Sequence, residues 1–406
     1  MVIGDIKIFA KSYLLTFPSK MLADTLLERY LIYKSRLHWI MSYQQTESIA
    51  LSQIKKAIPS SLKSNLIKKT KGLFTELYES KIFPGHYLAC SIDGVGTKLL
   101  IATALDSFDT IGIDLVAVCA NDLATLGKVQ PFLFMDYLAV QNKIELRVGE
   151  IINGVSKGLE ICNTSGIFQN DVKINFGKGE TASIDELLHS FKDGYGFDIA
   201  GAMIGFLPKG YILKEIKNGD KIIALKSSGL HCNGYTDARR FLLNGDFESR
   251  KNVKSLYKGG YSLRDKIGAK TIGELLLEPT KIYTRVIAEI ANNFKILGVN
   301  NTGYGLKNFN RFQENVEFII DNPMHPQEIF KVIQKESGFS DEEMYSTFNM
   351  GMGFFIIADE KDVKKILDTL KGLNEIAQVV GYVRNSNRLR TVLVKDNKRI
   401  VFEGYS

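Results

Sequence analysis

The sequence predicts an α/β (α+β) protein of two domains, because short apolar runs alternate with longer periodic stretches along most of the chain. At 406 residues the chain can bury about three quarters of the surface that its unfolded form exposes, so a large core is expected. Hydrophobic residues make up 45% and charged residues 24%, as in globular proteins. The pattern predicts an N-terminal split-βαβ domain at 41–208 and a C-terminal α/β domain at 209–406, after an extension at 1–40.

The extension at 1–40 mixes apolar runs with basic residues. Its acidic residues Asp5, Asp24 and Glu28 argue against a transit peptide, because transit peptides are poor in acidic residues. An additional helical extension and a gene start placed too early, before Met41, both fit the pattern. No functional role is assigned to this segment.

The first half of the chain alternates strand and helix patterns. An apolar run at 87–92 precedes a glycine loop at 93–98 and a periodic apolar stretch at 99–105, which predicts a strand, a loop and a helix. Further along, the pattern predicts a buried helix at 109–126, a strand at 131–140, an amphipathic helix at 144–162, and strands at 172–176 and 197–205. This order is typical of an α/β or split-βαβ domain.

The second half repeats the alternation. It begins with a predicted strand at 221–226, a loop at 227–235 and a helix from Thr236. Pro279 is predicted to open a helix that runs through Asn292, because proline suits the first helical turn. The remaining predicted elements are a strand at 353–358, a helix at 361–373, and closing strands at 377–383 and 391–395.

Charge, cysteine and hydropathy patterns exclude several classes of protein. The formal charge of +7 comes from 52 basic and 45 acidic residues spread along the chain, which suits phosphorylated ligands and argues against a nucleic-acid-binding face. The four cysteines are widely spaced, which fits reduced thiols in a cytoplasmic protein and neither disulfides nor a zinc site. No apolar run approaches the roughly 18 residues that a membrane span needs.

The loop Asp93–Lys98 (DGVGTK) is the first candidate for chemistry. Between a strand and a helix, free backbone N–H groups and the helix dipole favour an anion. Gly94 and Gly96 allow the backbone to approach a phosphate closely, Lys98 can neutralise charge, and Asp93 can hold magnesium through its oxygens. The spacing is not that of a Walker A loop. A plain structural turn is the alternative.

Acidic residues inside apolar segments follow this loop. Asp114 and Asn121 are seven apart and lie on one face of the predicted helix, and Asp122 comes directly afterwards. Asp136 lies inside an apolar predicted strand. Burying a carboxylate is expensive without a cation or a donor, so the group predicts a magnesium-nucleotide site. Capping of nearby backbone and pairing with lysines are the alternatives.

Two further loops carry polar groups. The turn at 177–181 presents Glu180 and Thr181 after a predicted strand, and as a pattern it is also compatible with a plain connection. The loop at 227–235 (SSGLHCNGY) gathers hydroxyls, an amide and an imidazole, which are donors for a phosphate or a sugar. His231 in that loop is a candidate general acid or base, although a hydrogen-bonded structural histidine gives the same pattern.

These segments, in this order, resemble the phosphoribosylformylglycinamidine cyclo-ligase family, also called aminoimidazole ribonucleotide synthetases. The matching strings are SIDGVGTK (91–98), DTIGIDLVAVCANDL (109–123), GKGETA (177–182), FDIAGAMIG (197–205), SSGLHCNGY (227–235), LLEPTKIY (276–283) and FNMGMGF (348–354). They cover nearly everything except the N-terminal extension.

The resemblance implies a cytoplasmic ligase of purine biosynthesis that uses ATP with Mg²⁺. Its small-molecule substrate would be formylglycinamidine ribonucleotide, which it would close to aminoimidazole ribonucleotide. The N-terminal domain would bind ATP and pair with its copy in a homodimer. Neither nucleic acid nor a membrane is an expected partner.

The resemblance also implies roles for individual residues. Magnesium would be held by Asp93 and Asp122. Catalytic roles would fall to His231 and Lys98. The ribonucleotide would meet Ser228, Gly229, His231 and Asn233. The nucleotide site would comprise Asp93, Gly94, Gly96, Thr97, Lys98, Asp114, Asn121, Asp122, Glu180 and Thr181.

The chain departs from the family at three places. Where the family reads HITGGGL, residues 300–306 read NNTGYGL, which loses a titratable imidazole and a glycine. The family's MPGLY turn is replaced at 183–187, and a valine-aspartate string is replaced at 47–50. Two other functions are compatible with the motifs: another ATP-using enzyme of the thiamine-monophosphate kinase or hydrogenase-maturation dehydratase type, and a nucleotide-binding homologue without activity.

Overall fold

The computed structural model describes residues 49–404 apart from 51, 55, 71–72, 169–172 and 313–314. The predicted extension at 1–40 and the start of the predicted strand at 172 lie outside these residues. Described residues from 65 onward belong to one compact unit that contains both large sheets. Residues 49–64 belong to a separate unit and include a 3-10 helix at Ser60–Lys63.

The first sheet has six strands. They are β1 (Glu76–Glu79), β2 (His86–Gly94), β3 (Gln130–Val140), β4 (Asn175–Phe176), β5 (Glu180–Ser183) and β6 (Phe197–Pro208). The order is β1-β2-β6-β3-β4, and β5 also pairs with β3. Gly201 of the central strand β6 pairs with Asp93 on β2 and with Asp136 on β3. Paired residues share a face of the sheet, so both acids lie on one face.

Four helices accompany this sheet. They are α1 (Leu99–Leu105), α2 (Ile111–Ala124), α3 (Asn142–Glu145) and α4 (Val148–Cys162). The buried helix α2 packs against β2, β6 and α4. The amphipathic helix predicted at 144–162 is interrupted, since α3 ends before α4 begins.

Helices α2 and α4 touch through glycine. A Cβ atom on Gly112 would lie 2.0 Å from the carbonyl oxygen of Ile151 and 2.2 Å from the amide nitrogen of Val155. The two backbones therefore approach more closely than any side chain would allow.

Within the described residues, no helix is long and apolar enough to cross a membrane.

The other face of the first sheet carries exposed apolar side chains. Ile92 is 77% exposed and Tyr137 is 44% exposed. Ile92 pairs with Ala202 and Tyr137 pairs with Ala200, so all four residues share one face. We call this surface the outer apolar face.

The second sheet has seven strands in the order β10-β12-β7-β13-β11-β14-β15, and a short hairpin β8–β9 lies apart. The strands are β7 (Lys221–Lys226), β8 (Lys266–Ile267), β9 (Lys270–Thr271), β10 (Ile296–Asn300), β11 (Val316–Ile320), β12 (Met352–Ala358), β13 (Ala377–Asn385), β14 (Arg390–Lys395) and β15 (Lys398–Phe402). Neighbouring strands of this sheet are antiparallel except β11 and β14.

The described residues of the second half form seven helices. They are α5 (Tyr235–Leu242), α6 (Lys251–Lys254), α7 (Ile272–Leu277), α8 (Thr284–Asn293), α9 (Glu328–Ser337), α10 (Asp341–Thr347) and α11 (Val363–Gly372). The predicted mixed α/β fold class is confirmed. The domain boundary predicted at 208/209 falls between β6 and β7 and stays a prediction.

One helix prediction is wrong. The helix expected to open at Pro279 begins instead at Thr284, and the residues from Pro279 to Tyr283 are not helical. The Tyr283 amide, which in that helix would donate to the Pro279 carbonyl, donates instead to the Asn121 side chain of α2. Proline fixes its own φ, but tertiary contacts decide the conformation that follows.

Candidate functional site

The loop after β2 contains a glycine in the left-handed region of φ. Asp93 and Gly94 are the last residues of β2, and a 3-10 turn at Gly96–Lys98 leads into α1. Gly96 has φ +70°, a conformation that residues with a Cβ rarely adopt. The hydroxyl of Thr97 lies 3.3 Å from that of Thr236 in the first turn of α5. The loop therefore meets the second half of the chain.

Lys98 is the last residue of this loop, and its side chain is fully buried. Its Nζ donates to Asp114 Oδ1 at 2.9 Å and to the carbonyl oxygen of Glu278 at 2.7 Å, and Asp114 Oδ2 lies at 2.8 Å. A buried charge is tolerated when it is paired in this way, and removing one partner costs about 3–5 kcal/mol. The ammonium is directed at Asp114 in this structure, and its predicted roles at phosphate and in catalysis stay predictions.

Asp114 and Asn121 join α2 to the second half of the chain. Asp114 Oδ1 accepts from the Thr280 amide at 2.8 Å and from the Thr280 hydroxyl at 2.6 Å. Asn121 accepts from the Tyr283 amide at 2.8 Å and donates to the carbonyl oxygen of Lys281 at 2.9 Å. Both side chains thus position the segment 280–283, and their predicted contacts with a nucleotide stay predictions.

Asp93 and Asp122 form an interacting acid pair at the end of β2. Burial raises the pKa of Asp122 to about 7, and the negative charge of Asp93 adds to the rise. Three influences lower the pKa of Asp122: a 2.8 Å hydrogen bond from Asn300 Nδ2 to Asp122 Oδ1, the positive charge of Arg311, and a side-chain hydrogen bond with Ser91. Asp93 is exposed and Asp122 is half-buried. A divalent cation would relieve the repulsion between the two carboxylates.

The pair fits magnesium bound together with a phosphate. Among the described residues, no group of three or more histidines, cysteines, aspartates and glutamates could hold a metal ion. Magnesium usually takes one or two carboxylates, keeps several waters and completes its shell with substrate phosphates. Asp93 and Asp122 offer that number of ligands, so they suit an ion that arrives with a nucleotide.

His231 is enclosed by its own loop. It is 3% exposed, has φ 61°, and its Nε2 accepts from the Ser228 amide at 3.4 Å. Burial lowers its pKa to about 3, and the charges of Lys98 and Lys281 add to the fall. The imidazole is therefore neutral near pH 7, and its predicted role as an acid or base stays a prediction.

The rest of the loop at 227–235 is bonded to neighbouring motifs. Ser228 Oγ donates to the Pro279 carbonyl oxygen at 2.6 Å. Asn349, in the string FNMGMGF, donates to the Gly229 carbonyl oxygen at 2.8 Å and accepts from Ser227 Oγ at 3.0 Å. These bonds bring the matching strings at 227–235, 276–283 and 348–354 together around one site.

Asn233 and the altered segment 300–306 face each other. Asn233 Oδ1 lies 3.3 Å from the place where a Cβ on Gly303 would stand. In the same segment, Asn301 Nδ2 donates to the Met352 carbonyl oxygen at 2.7 Å, and the Tyr304 side chain is buried. The substitutions in this segment are thus part of the site.

Glu180 and Thr181 lie in a different place. They are exposed on β5, in register with Tyr137 and Leu138 of β3. A Cβ on the preceding Gly179 would lie 2.1 Å from Asp136 Oδ1, so this turn closes over Asp136. The structure thus places both residues beside β3, on the sheet that also carries Asp93.

Sequence reasoning overlooked Asn349 and Arg311. Asn349 is fully buried and bonds to two residues of the 227–235 loop, and its position inside a matching string was the signal that could have found it. Arg311 acts electrostatically on Asp122 from 189 positions along the sequence, and no pattern in the sequence joins the two.

Comparisons with known proteins identify the family of this chain. Residues 78–207 match the family described as AIR synthase related protein, N-terminal domain, and residues 217–394 match its C-terminal domain. A protein named phosphoribosylformylglycinamidine cyclo-ligase from Methanocaldococcus jannaschii is 34% identical over 79% of this chain and 87% of its own. One of the same name from Methanosarcina mazei is 37% identical over 77% of this chain and 84% of its own.

A solved structure shares the fold at low identity. The hydrogenase maturation protein HypE in complex with ATP superimposes with a TM-score of 0.52 and 14% identity, over 79% of this chain and 85% of that one. The family matches together cover most of both sheets, and the two relatives resemble the chain over most of their length. The chain therefore belongs to the AIR synthase related family.

Proposed function

We propose that this chain is a phosphoribosylformylglycinamidine cyclo-ligase, which uses ATP to close the imidazole ring of aminoimidazole ribonucleotide. The observation that carries the proposal is the meeting of the matching strings: Asp114 and Asn121 hold 280–283, and Ser228 bonds to Pro279. The relatives of that name supply the substrate class.

In the proposed reaction, ATP phosphorylates the formyl amide oxygen of formylglycinamidine ribonucleotide. The amidine nitrogen then attacks the formyl carbon and loses a proton. The bond between that carbon and the phosphorylated oxygen breaks, and phosphate leaves. Phosphoryl transfer depends mainly on positioning and on neutralising charge, so no covalent nucleophile on the protein is required. The products are aminoimidazole ribonucleotide, ADP and phosphate.

The proposed residue roles follow the geometry of the two halves. Asp93 and Asp122 hold magnesium, which would neutralise charge on the phosphates. The backbone of the 93–98 loop, with Thr97, cradles the phosphates. The buried side chain of Lys98, at the end of this loop, is held by Asp114. The remaining proposed contacts are Glu180 and Thr181 with the nucleotide, Ser228, Gly229 and Asn233 with the ribonucleotide, and His231 at the reacting groups.

We also propose a cytoplasmic homodimer, with the outer apolar face as the contact between subunits. Exposed apolar patches of this kind mark interaction sites.

The activity is tested by incubating purified protein with ATP, magnesium and formylglycinamidine ribonucleotide and assaying for aminoimidazole ribonucleotide. The proposal expects product together with one ADP for each ring closed. Binding of an ATP analogue without substrate-dependent turnover would favour a nucleotide-binding homologue instead. Phosphorylation of thiamine monophosphate would favour a kinase.

The acid pair is tested by Asp93→Asn. Because Asp93 is exposed, we expect little loss of thermal stability, while magnesium-dependent binding of an ATP analogue weakens by roughly tenfold or more, which is about 1.4 kcal/mol. Calorimetry with and without magnesium measures the effect, and Asp246→Asn at an exposed aspartate is the matched control. A large fall in the melting temperature with unchanged affinity would instead assign Asp93 a structural role.

A further inference from the structure

The loop at 227–235, which supplies the proposed contacts with the ribonucleotide, begins at a buried serine whose polar atoms are all hydrogen-bonded. The Ser227 amide donates to the Gly351 carbonyl oxygen at 3.0 Å, and the Ser227 carbonyl oxygen accepts from Gln327 Nε2 at 2.7 Å. The Ser227 hydroxyl donates to Asn349 Oδ1 at 3.0 Å. The start of the loop is therefore fixed from the segment that follows α10 and from the residue that precedes α9.

Asn349 holds a second point of the same loop. It lies in the short connection between α10 and β12, and it is fully buried. Its Nδ2 donates to the Gly229 carbonyl oxygen at 2.8 Å, while its Oδ1 accepts from the Ser227 hydroxyl. The two bonds reach the residues on either side of Ser228. Since the backbone has only two soft dihedral angles per residue, fixing both neighbours leaves Ser228 little freedom to turn.

The side-chain amide of Asn349 has a single orientation that satisfies its partners. Asn349 Oδ1 also accepts from the Gly351 amide at 2.9 Å. An exchange of oxygen and nitrogen would set an oxygen against the Gly229 carbonyl and an NH₂ group against the Gly351 amide, so all three hydrogen bonds would be lost or reversed. The side chain is thus held in place before any ligand binds.

The altered segment 300–306 supports the connection that carries Asn349. Asn301 is fully buried, and its Nδ2 donates to the carbonyl oxygens of Met352 at 2.7 Å and of Asn349 at 3.3 Å. The Asn301 amide donates to the Gly353 carbonyl oxygen at 3.2 Å. Asn349 is therefore bonded through its backbone to the altered segment and through its side chain to the 227–235 loop.

Ser228 passes this constraint on to His231. The Ser228 hydroxyl donates to the Pro279 carbonyl oxygen at 2.6 Å, and its amide donates to His231 Nε2 at 3.4 Å. Three of the proposed ribonucleotide contacts, Ser228, Gly229 and His231, thus lie within two residues of a hydrogen bond to Asn349. A loosened Asn349 contact would release all three.

We propose that Asn349 is a positioning residue for the ribonucleotide, which holds Ser228, Gly229 and His231 in the arrangement that binds this ligand. A loop that is ordered in advance loses less conformational entropy when the ligand binds. Without the Asn349 bonds, the ribonucleotide itself would have to order the loop, and its affinity would fall. The ATP phosphates are proposed to meet the separate 93–98 loop. This assignment rests on the proposed function.

The test compares Asn349→Ala with the unchanged protein by calorimetry, because alanine removes all of the side-chain bonds. One arm titrates formylglycinamidine ribonucleotide, and the other titrates a non-hydrolysable ATP analogue with magnesium. We expect the variant to bind the ribonucleotide at least about tenfold more weakly and the ATP analogue within about twofold of the unchanged protein. A residue that only stabilises the fold would not separate the two ligands in this way.

Asn310→Ala is the matched control. Asn310 is a buried amide that likewise donates to a backbone carbonyl, that of Phe402 at 3.0 Å, and accepts from a hydroxyl, that of Thr391 at 3.0 Å. We expect this control to lower the melting temperature and to leave the ribonucleotide affinity unchanged.

An unchanged ribonucleotide affinity in folded Asn349→Ala, or an equal weakening of both ligands, would overturn the proposal. If that variant does not fold, the comparison rests on Ser227→Ala, which removes the hydroxyl bond to Asn349 alone among the bonds of Asn349. A loss of about threefold in the ribonucleotide arm then supports the proposal, and no loss overturns it. An unchanged protein that binds the ATP analogue but no ribonucleotide contradicts the proposed function, and this assignment with it.

Discussion

His231 shows what burial does to a single titratable side chain. Its folded pKa of about 3 lies below the ordinary value of about 6.5, because a charged imidazole has no water around it here. Between those two values the unfolded chain takes up a proton and the native protein does not. The contribution of His231 to stability is therefore complete above about pH 6.5 and is lost as the pH falls toward 3.

This linkage gives a measurable slope. Because one proton is taken up on unfolding, the free energy of unfolding falls by about 1.4 kcal/mol for each unit by which the pH is lowered. His231→Asn removes the imidazole, and asparagine tolerates the positive φ of this position. We expect denaturant titrations between about pH 6.5 and 4 to show a shallower acid dependence for this variant. His189→Asn, at an exposed histidine, is the control, and equal slopes for His231→Asn and the unchanged protein would contradict the prediction.

Prediction from the sequence succeeded at the residue scale where the cause is local. The start of α1 directly after Lys98 follows from the apolar period behind the string DGVGTK. The partners of Lys98 do not follow from it. Asp114 lies one helix further along, and the carbonyl of Glu278 is 180 positions away, so only the folded chain brings these three groups together.

At the scale of elements, the crossing of α2 and α4 depends on the absence of one side chain. Gly112→Ala would place a methyl group 2.0 Å from the backbone oxygen of Ile151 and 2.2 Å from the amide nitrogen of Val155, and hydrogen-bonded helix backbone cannot move aside cheaply. We expect a loss of about 1–3 kcal/mol or more from overpacking, seen as a lower denaturant midpoint. Gly149→Ala, in the first turn of α4 with no atom within 4 Å of the new methyl group, is expected to be neutral or slightly stabilising. Equal midpoints for the two variants would contradict the close contact.

Helices and strands were predicted correctly where the apolar period and the residue propensities of the segment decide its conformation. The predicted strand at 221–226 matches β7, and the predicted buried helix at 109–126 contains α2. The helix predicted from Pro279 failed because Asn121 accepts from the Tyr283 amide, which in that helix would donate to the Pro279 carbonyl. Asp114 accepts from the Thr280 amide in the same segment. Such bonds join residues more than 160 positions apart, and no local pattern records them.

For the whole molecule, the outer apolar face gives the test of the proposed homodimer. Ile92→Lys places a charge in the middle of that face, where Ile92 is 77% exposed. If the face pairs with its copy, burying an unpaired ammonium costs several kcal/mol, so we expect the dimer to dissociate at micromolar concentration. Sedimentation equilibrium measures the mass. Leu146→Lys changes an equally exposed leucine elsewhere, 86% exposed, and should leave the mass unchanged. A monomeric unchanged protein, or a dimeric Ile92→Lys variant, would contradict this contact.

The bonds between α2 and the 280–283 segment have a consequence for how freely the sequence can vary. Asn121 bonds to a backbone amide and a backbone carbonyl, and every residue except proline offers both. A library of substitutions should therefore tolerate many residue types at Lys281 as far as this joint is concerned, and few at position 121. The Asn121 side chain makes these bonds and is therefore constrained. Residue 281 contributes only its backbone to them, so its side chain can change.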